Sequence, residues 1–219
     1  MEELFKNPSE EIYEIEFSGK FIPEKFVPIW FASKNLLGKE EAENTIGINV
    51  SEGNYCAFKT DFIEIYVEPD RFRILSKNLK SYDLVNDMAI SVAKILKDSL
   101  NEYVSINFRF HFSYKTNKEL TKVLNKLISK DEWSEIFNSP QLLGLRMNEL
   151  FEDDEYKGEK RLSIFPCERA DMQNTVHLYI KNNFASNSPK FSVISILEEH
   201  AESINSNIKF ANKILKKYF

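Results

Sequence analysis

The first patterned stretch is residues 12–18, where Tyr13, Ile15 and Phe17 alternate with Ile12, Glu14, Glu16 and Ser18. That period of two predicts a strand with one apolar and one wet face, ended by Gly19. Pro28 stands where a first helical residue belongs, Ile29, Trp30, Phe31, Leu36 and Leu37 give an apolar face, and Gly38 supplies a stop, which predicts a short helix. Strand runs follow at 46–50, 55–59 and 62–75. The last is broken at Glu68-Pro69-Asp70, because Pro69 has no N–H to give to a ladder. From Asp83, a residue able to cap a helix, Leu84, Met88, Val92, Leu96 and Leu100 recur every four positions and predict a long helix.

Val104–Tyr114 alternates strictly, with Val104, Ile106, Phe108, Phe110 and Phe112 on one side and Ser105, Asn107, Arg109, His111 and Ser113 on the other. A helix is predicted from Lys118 to Ile128 on Leu120, Val123, Leu124 and Leu127. A shorter helical piece carries Trp133, Ile136 and Phe137 and ends at Pro140. Strands read at 142–148, 161–166 and 175–181, separated by the acidic segment Glu152–Glu155 and by residues 168–174. Val193, Leu197, His200, Ile204, Ile208, Ala211, Leu215 and Tyr218 form the stripe of a last helix.

The order strand, helix, three strands, helix occurs over 12–100 and again over 104–218. Local matches accompany it: Ile15-Glu16-Phe17-Ser18 with Phe110-His111-Phe112-Ser113, and Ile65-Tyr66-Val67 with Leu178-Tyr179-Ile180. The fold expected is therefore α+β, built from two tandem β-α-β-β-β-α repeats whose mainly antiparallel sheets are covered by helices about a pseudo-two-fold axis. The lobes would span 1–103 and 104–219, either as two units or as one continuous domain. The alignment sets Glu14 and Glu16 against Arg109 and His111, so acidic groups should meet basic ones where the first strands of the repeats approach.

Composition narrows the class. With 219 residues, 42% of them hydrophobic, and 18 Phe and 9 Tyr, the chain can bury a core and is not a disordered segment. The net charge of -5 argues against a protein whose main work is gripping phosphate backbones. There are 12 basic and 19 acidic residues before Val104, and 17 basic and 15 acidic from it onward, an acidic first half and a faintly basic second. Two cysteines without C-x-x-C spacing, an acidic N-terminus and no long apolar run predict a cytoplasmic protein that has no membrane partner. Lys outnumbers Arg by 23 to 6, the habit of an AT-rich, bacterial or phage genome.

Candidate chemistry is sparse. His111 and His177 fall on the polar sides of strands and His200 on an apolar helical stripe, with none at metal-ligand spacing. The plain structural reading is a wet sheet face and a core-edge imidazole. The cluster Glu149, Glu152, Asp153, Asp154, Glu155 and Glu159 lacks the spacing and glycine of a calcium loop and reads as a solvated connection. Asp61 and Glu64 near Lys59 suggest a metal-dependent nuclease only loosely, and no nucleophile elbow or phosphate loop is present. Phe108, Phe110 and Phe112 share a side with Val104 and Ile106, as in a buried face and unlike a base-stacking strand. Lys209, Lys213, Lys216 and Lys217 can contact an acidic partner, or simply complement the helix dipole.

The early strand, the Pro69-Asp70-Arg71-Phe72 segment, the helix from Asp83, the strand Ile106-Asn107-Phe108-Arg109-Phe110-His111 and a second half containing Trp133 together resemble a family of conserved bacterial proteins of unassigned function. The resemblance spans most of the chain and implies no activity. The function expected is non-enzymatic binding of a protein partner or of a second copy, with no cofactor and no metal. Binding residues would be Arg109, His111, His177, Lys209, Lys213, Lys216 and Lys217. The alternatives are a nucleic-acid-associated protein of a defence or mobile-element system, and an enzyme with an inter-lobe cleft holding Arg109, His111 and His177.

Overall fold

Every described strand joins a single antiparallel sheet in a computed structural model that describes residues 8–51, 53–125, 144–167, 172–187, 192–200, 209–210 and 213–214. The elements are β1 (Glu10–Gly19), α1 (Pro28–Ser33), α2 (Lys39–Glu43), β2 (Ile46–Ser51), β3 (Tyr55–Lys59), β4 (Glu64–Glu68) and β5 (Arg71–Ser76). They continue with α3 (Tyr82–Ile95), β6 (Leu100–Ser113), α4 (Asn117–Leu124), β7 (Leu145–Glu152), β8 (Tyr156–Pro166), β9 (Thr175–Ser186) and α5 (Val193–His200). The nine strands run β2-β3-β4-β5-β1-β6-β9-β8-β7 across the sheet. The fold is α+β. The halves meet edge to edge, through β1 and β6.

Local sequence explains most of these boundaries. Pro69 and Asp70 make a turn between β4 and β5, so the run 62–75 yields two strands and the first half has five rather than four. Thr116 caps α4 by accepting a hydrogen bond from Glu119 N. The helix expected to reach Leu100 ends at Ile95, and after a 3-10 turn over Lys97–Ser99, Leu100 already belongs to β6. Leu84 is 48% exposed, and the buried face of α3 is Val85, Met88, Ala89, Val92 and Ala93. A four-residue spacing advances about 40° per step around a helix, so a stripe written that way drifts off the core. In the second half β7 starts later than expected, β8 earlier, and β9 runs on to Ser186. Asp153 closes the β7–β8 hairpin by accepting hydrogen bonds from Glu155 N and Tyr156 N, both at 2.8 Å. The acidic segment is thus the connection it was expected to be. The helical piece at Trp133–Phe137 lies outside the described residues, as does most of the last helix beyond His200.

One side of the sheet is the core. Tyr13, Ile15 and Phe17 of β1 face the same way as Ile106 and Phe108 of β6 and Leu178 and Ile180 of β9, all fully or almost fully buried. Side chains of every helix enter this core. Phe31 of α1 meets Phe58 and Phe72, Asn86 of α3 accepts from the Tyr13 hydroxyl, and His200 of α5 stacks on Phe184 at 4.2 Å. Burying each such aromatic contributes roughly 1.5–3 kcal/mol. Lys94 and Glu198 tie α3 to α5 at 2.9 Å. Among the described residues no helix is long and apolar enough to cross a membrane.

The other side is polar, as the alternation required, but the expectation of a wet face fails at its centre. Glu14 is 1% exposed, Ser105 and Asn107 are fully buried and His111 is nearly so. Long neighbouring side chains lie across the sheet and exclude water. Arg109 Nη2 meets Glu14 Oε1 at 2.6 Å, Asn107 Nδ2 donates to the same oxygen at 3.0 Å, and the Arg109 guanidinium covers the Tyr179 ring. Further across, Asn183 bonds Ser105 and Glu159, and Lys181 stands 3.8 Å from Glu16. The acid-to-base meeting expected between the two first strands is present at Glu14 with Arg109, but His111 is met by Glu10 rather than Glu16, which lies opposite Ser105. Glu14 Oε2 is buried without a hydrogen-bond partner, so this carboxylate depends on the contacts at its other oxygen. Arg109→Met should cost about 3–5 kcal/mol in urea unfolding by stranding that charge, and Glu14→Gln added to it should recover most of the loss. Equal stability of Arg109→Met and the native protein would refute this account of the seam.

Candidate functional site

Strand register assembles the site. His111 of β6 lies directly opposite His177 of β9, and His177 in turn lies opposite Phe165 of β8. Two residues along, Arg109 faces Tyr179, and Ile12 of β1 faces Arg109 from the other flank. Because side chains alternate, all of these project from the face opposite the described helices. The imidazole rings of His111 and His177 are 4.4 Å apart, and Phe165 lies 4.7 Å from His177. These groups border an open groove of about 1130 Å³, lined among the described residues also by Arg146 and Leu145 of β7, Ser163, Pro166, Cys167 and Gly144. No carboxylate is among those lining groups.

Electrostatics in the groove are set by burial and by the seam. Burial first, then the neighbouring His111 and Arg109, push the His177 pKa down to about 4. Its Nε2 is buried without a hydrogen-bond partner, consistent with a neutral ring. Glu10 Oε2 stands 3.1 Å from His111 Nδ1 on the far side of that ring. Tyr179 is raised to about 12 by its burial, against the lowering effect of Arg109 above it.

The structure thus brings Arg109, His111 and His177 together in one groove. It does not bring Lys209 or Lys213 there. Lys209 and Lys213 are exposed, and the segment carrying them packs through Phe210, whose ring lies 4.0 Å from Lys160 Nζ on the helix-bearing side of β8. Lys216 and Lys217 lie outside the described residues. Asp61 and Glu64 make no open acidic pair: Glu64 accepts from the Tyr66 hydroxyl and pairs with Lys77 at 3.0 Å. His200 is the core-edge imidazole it was expected to be, with burial lowering its pKa. Among the described residues no three His, Cys, Asp or Glu side chains are grouped to hold a metal ion.

Sequence reasoning missed Arg146, Ile12 and Phe165. Period two along β8 and β9 puts residues 163, 165, 177 and 179 on one side, but which strands are neighbours depends on long-range register. No protein-family model matches the chain, and neither does any curated protein.

The depressed His177 pKa has a definite sign in stability. Its folded value, about 4, lies below the unfolded value of about 6.5, so protonation favours the unfolded chain. Its contribution should be fully present above pH 6.5 and be lost as pH falls toward 4. His177→Phe should flatten that part of the pH profile by about 1–2 kcal/mol, allowing for solvent screening at this partly open site. Urea midpoints between pH 4 and 7.5 for both proteins measure the difference, and parallel profiles would refute it.

Proposed function

We propose that the protein is a non-enzymatic binding module that takes a protein partner, or a second copy of itself, on the polar face of its sheet, opposite the described helices. The observation that carries this reading is the groove, in which Arg109, Arg146, His111 and His177 stand beside the apolar Ile12 and Phe165. At about 1130 Å³ it exceeds the roughly 300–1,000 Å³ of small-molecule sites, and its openness suits a chain segment. The same face interleaves Glu16, Glu68 and Glu159 with Arg71, Arg73, Arg161 and Lys181, which disfavours a nucleic-acid backbone. One contact favours an enzyme as a second reading: the Glu10 carboxylate beside His111 is the arrangement of an oriented general base.

The scaffold itself reads as a tandem duplication about a pseudo-two-fold axis between β1 and β6. Supporting this, β3-β4-β5-β1 and β7-β8-β9-β6 have the same order from each edge inward, and α3 and α5 each follow the last strand of their half. The strand β2 has no counterpart among the described residues of the second half.

A photo-crosslinking amino acid at Arg146, on the groove, and at Ile29, 68% exposed on the helical side, tests the binding reading in the source cells. A discrete protein adduct at position 146 and none at 29 is expected, and a mass of two chains would identify the second copy. Nucleic-acid adducts at 146, or the same proteins at both positions, would overturn it.

A further inference from the structure

We infer that the groove recognises an extended partner segment carrying an acidic side chain next to an aliphatic or aromatic one. This deepens the binding reading above and rests on it. Arg146 is exposed, and among the described residues it has neither an ion pair nor a hydrogen bond. Arg109 gives one nitrogen to Glu14, but a guanidinium has five N–H donors in a planar fork, so it can serve a second carboxylate. Both arginines line the groove and no acid does among the described residues, so a carboxylate entering it meets cations while a lysine or arginine would be repelled. Ile12 and Phe165 line the same groove and offer an apolar surface within a residue or two of those cations, while the Leu145 side chain packs toward the core. An acidic residue alone would leave that wall wet, and an apolar residue alone would leave Arg146 unanswered. The two requirements together define the motif, and an extended chain places successive side chains on opposite sides so that alternate or adjacent residues can satisfy both.

The histidines supply the readout. His111 and His177 lie in the groove and His200 on the opposite side of the sheet, so the three imidazole NMR signals report groove occupancy with an internal control. A random dodecapeptide phage library is selected on the immobilised full chain, and the selected peptides are synthesised and titrated. Peptides that shift His111 and His177 but not His200 should be enriched in Asp or Glu beside Leu, Ile, Phe or Trp. They should bind Arg146→Glu about tenfold more weakly or worse. Peptides that shift the two groove histidines without acidic enrichment, or bind Arg146→Glu as well as the native chain, overturn this inference while the groove remains a binding face. If no selected peptide moves His111 and His177, the binding reading falls and this inference with it.

Discussion

A buried carboxylate at the middle of the sheet is the constraint on which the remaining geometry depends. An ionised Glu14 without partners would cost several kcal/mol, and among the described residues its one cationic contact is Arg109 on the neighbouring strand. That requirement is met only when β1 and β6 pair in the observed register, with Glu14 opposite Asn107 and Ile12 opposite Arg109. A slip of one residue would turn Glu14 onto the core face and Tyr13, Ile15 and Phe17 onto the polar one. The ion pair thus selects the register more than it adds stability, and the hydrophobic face opposite, with Tyr13 packed on Phe108 at 5.1 Å, supplies the binding force of the seam.

Register at the seam propagates into the groove. Once β6 is fixed, its own long pairing with β9 puts His177 beside His111 and Tyr179 beneath Arg109, and β9 then places Phe165 of β8. The described helices all go to one side because the side carrying Tyr13, Ile15, Phe108 and Ile180 offers the apolar surface to hold them. The polar side covers itself with arginine and glutamate stems, which is why residues such as Ser105 and Asn107 are dry with no described helix above them.

Much of this was legible in the sequence, for a physical reason: alternation is a local property. The strands at Ile12–Ser18 and Val104–Tyr114, the break at Pro69, the helix after Asp83 and the acid-to-base meeting of Glu14 and Arg109 all follow from spacing and residue type. What alternation does not carry is depth. It separates polar from apolar sides, but whether Glu14 or Asn107 is wet depends on the reach of side chains from strands a hundred residues away. The groove was half legible for the same reason. Arg109, His111 and His177 stood out by chemistry, whereas Arg146 and Phe165 are ordinary residues made relevant by register alone. Lys209 and Lys213 are the converse case, since the segment carrying them packs through Phe210 on the other side of the sheet from Arg109.

The seam also decides how far the halves are separable. The groove takes Ile12 from the first half and its arginines and histidines from the second, and Glu10 and Glu14 of the first half hold His111 and Arg109 in place. Cutting the chain near residue 103 would expose the facing edges of β1 and β6, remove the counter-charge of Arg109 and open one flank of the groove. The acidic excess of the first half and the slight basic excess of the second then have a local meaning. At the seam the first half contributes the carboxylates and the second the cations, and the cations left uncompensated, Arg146 above all, face the groove.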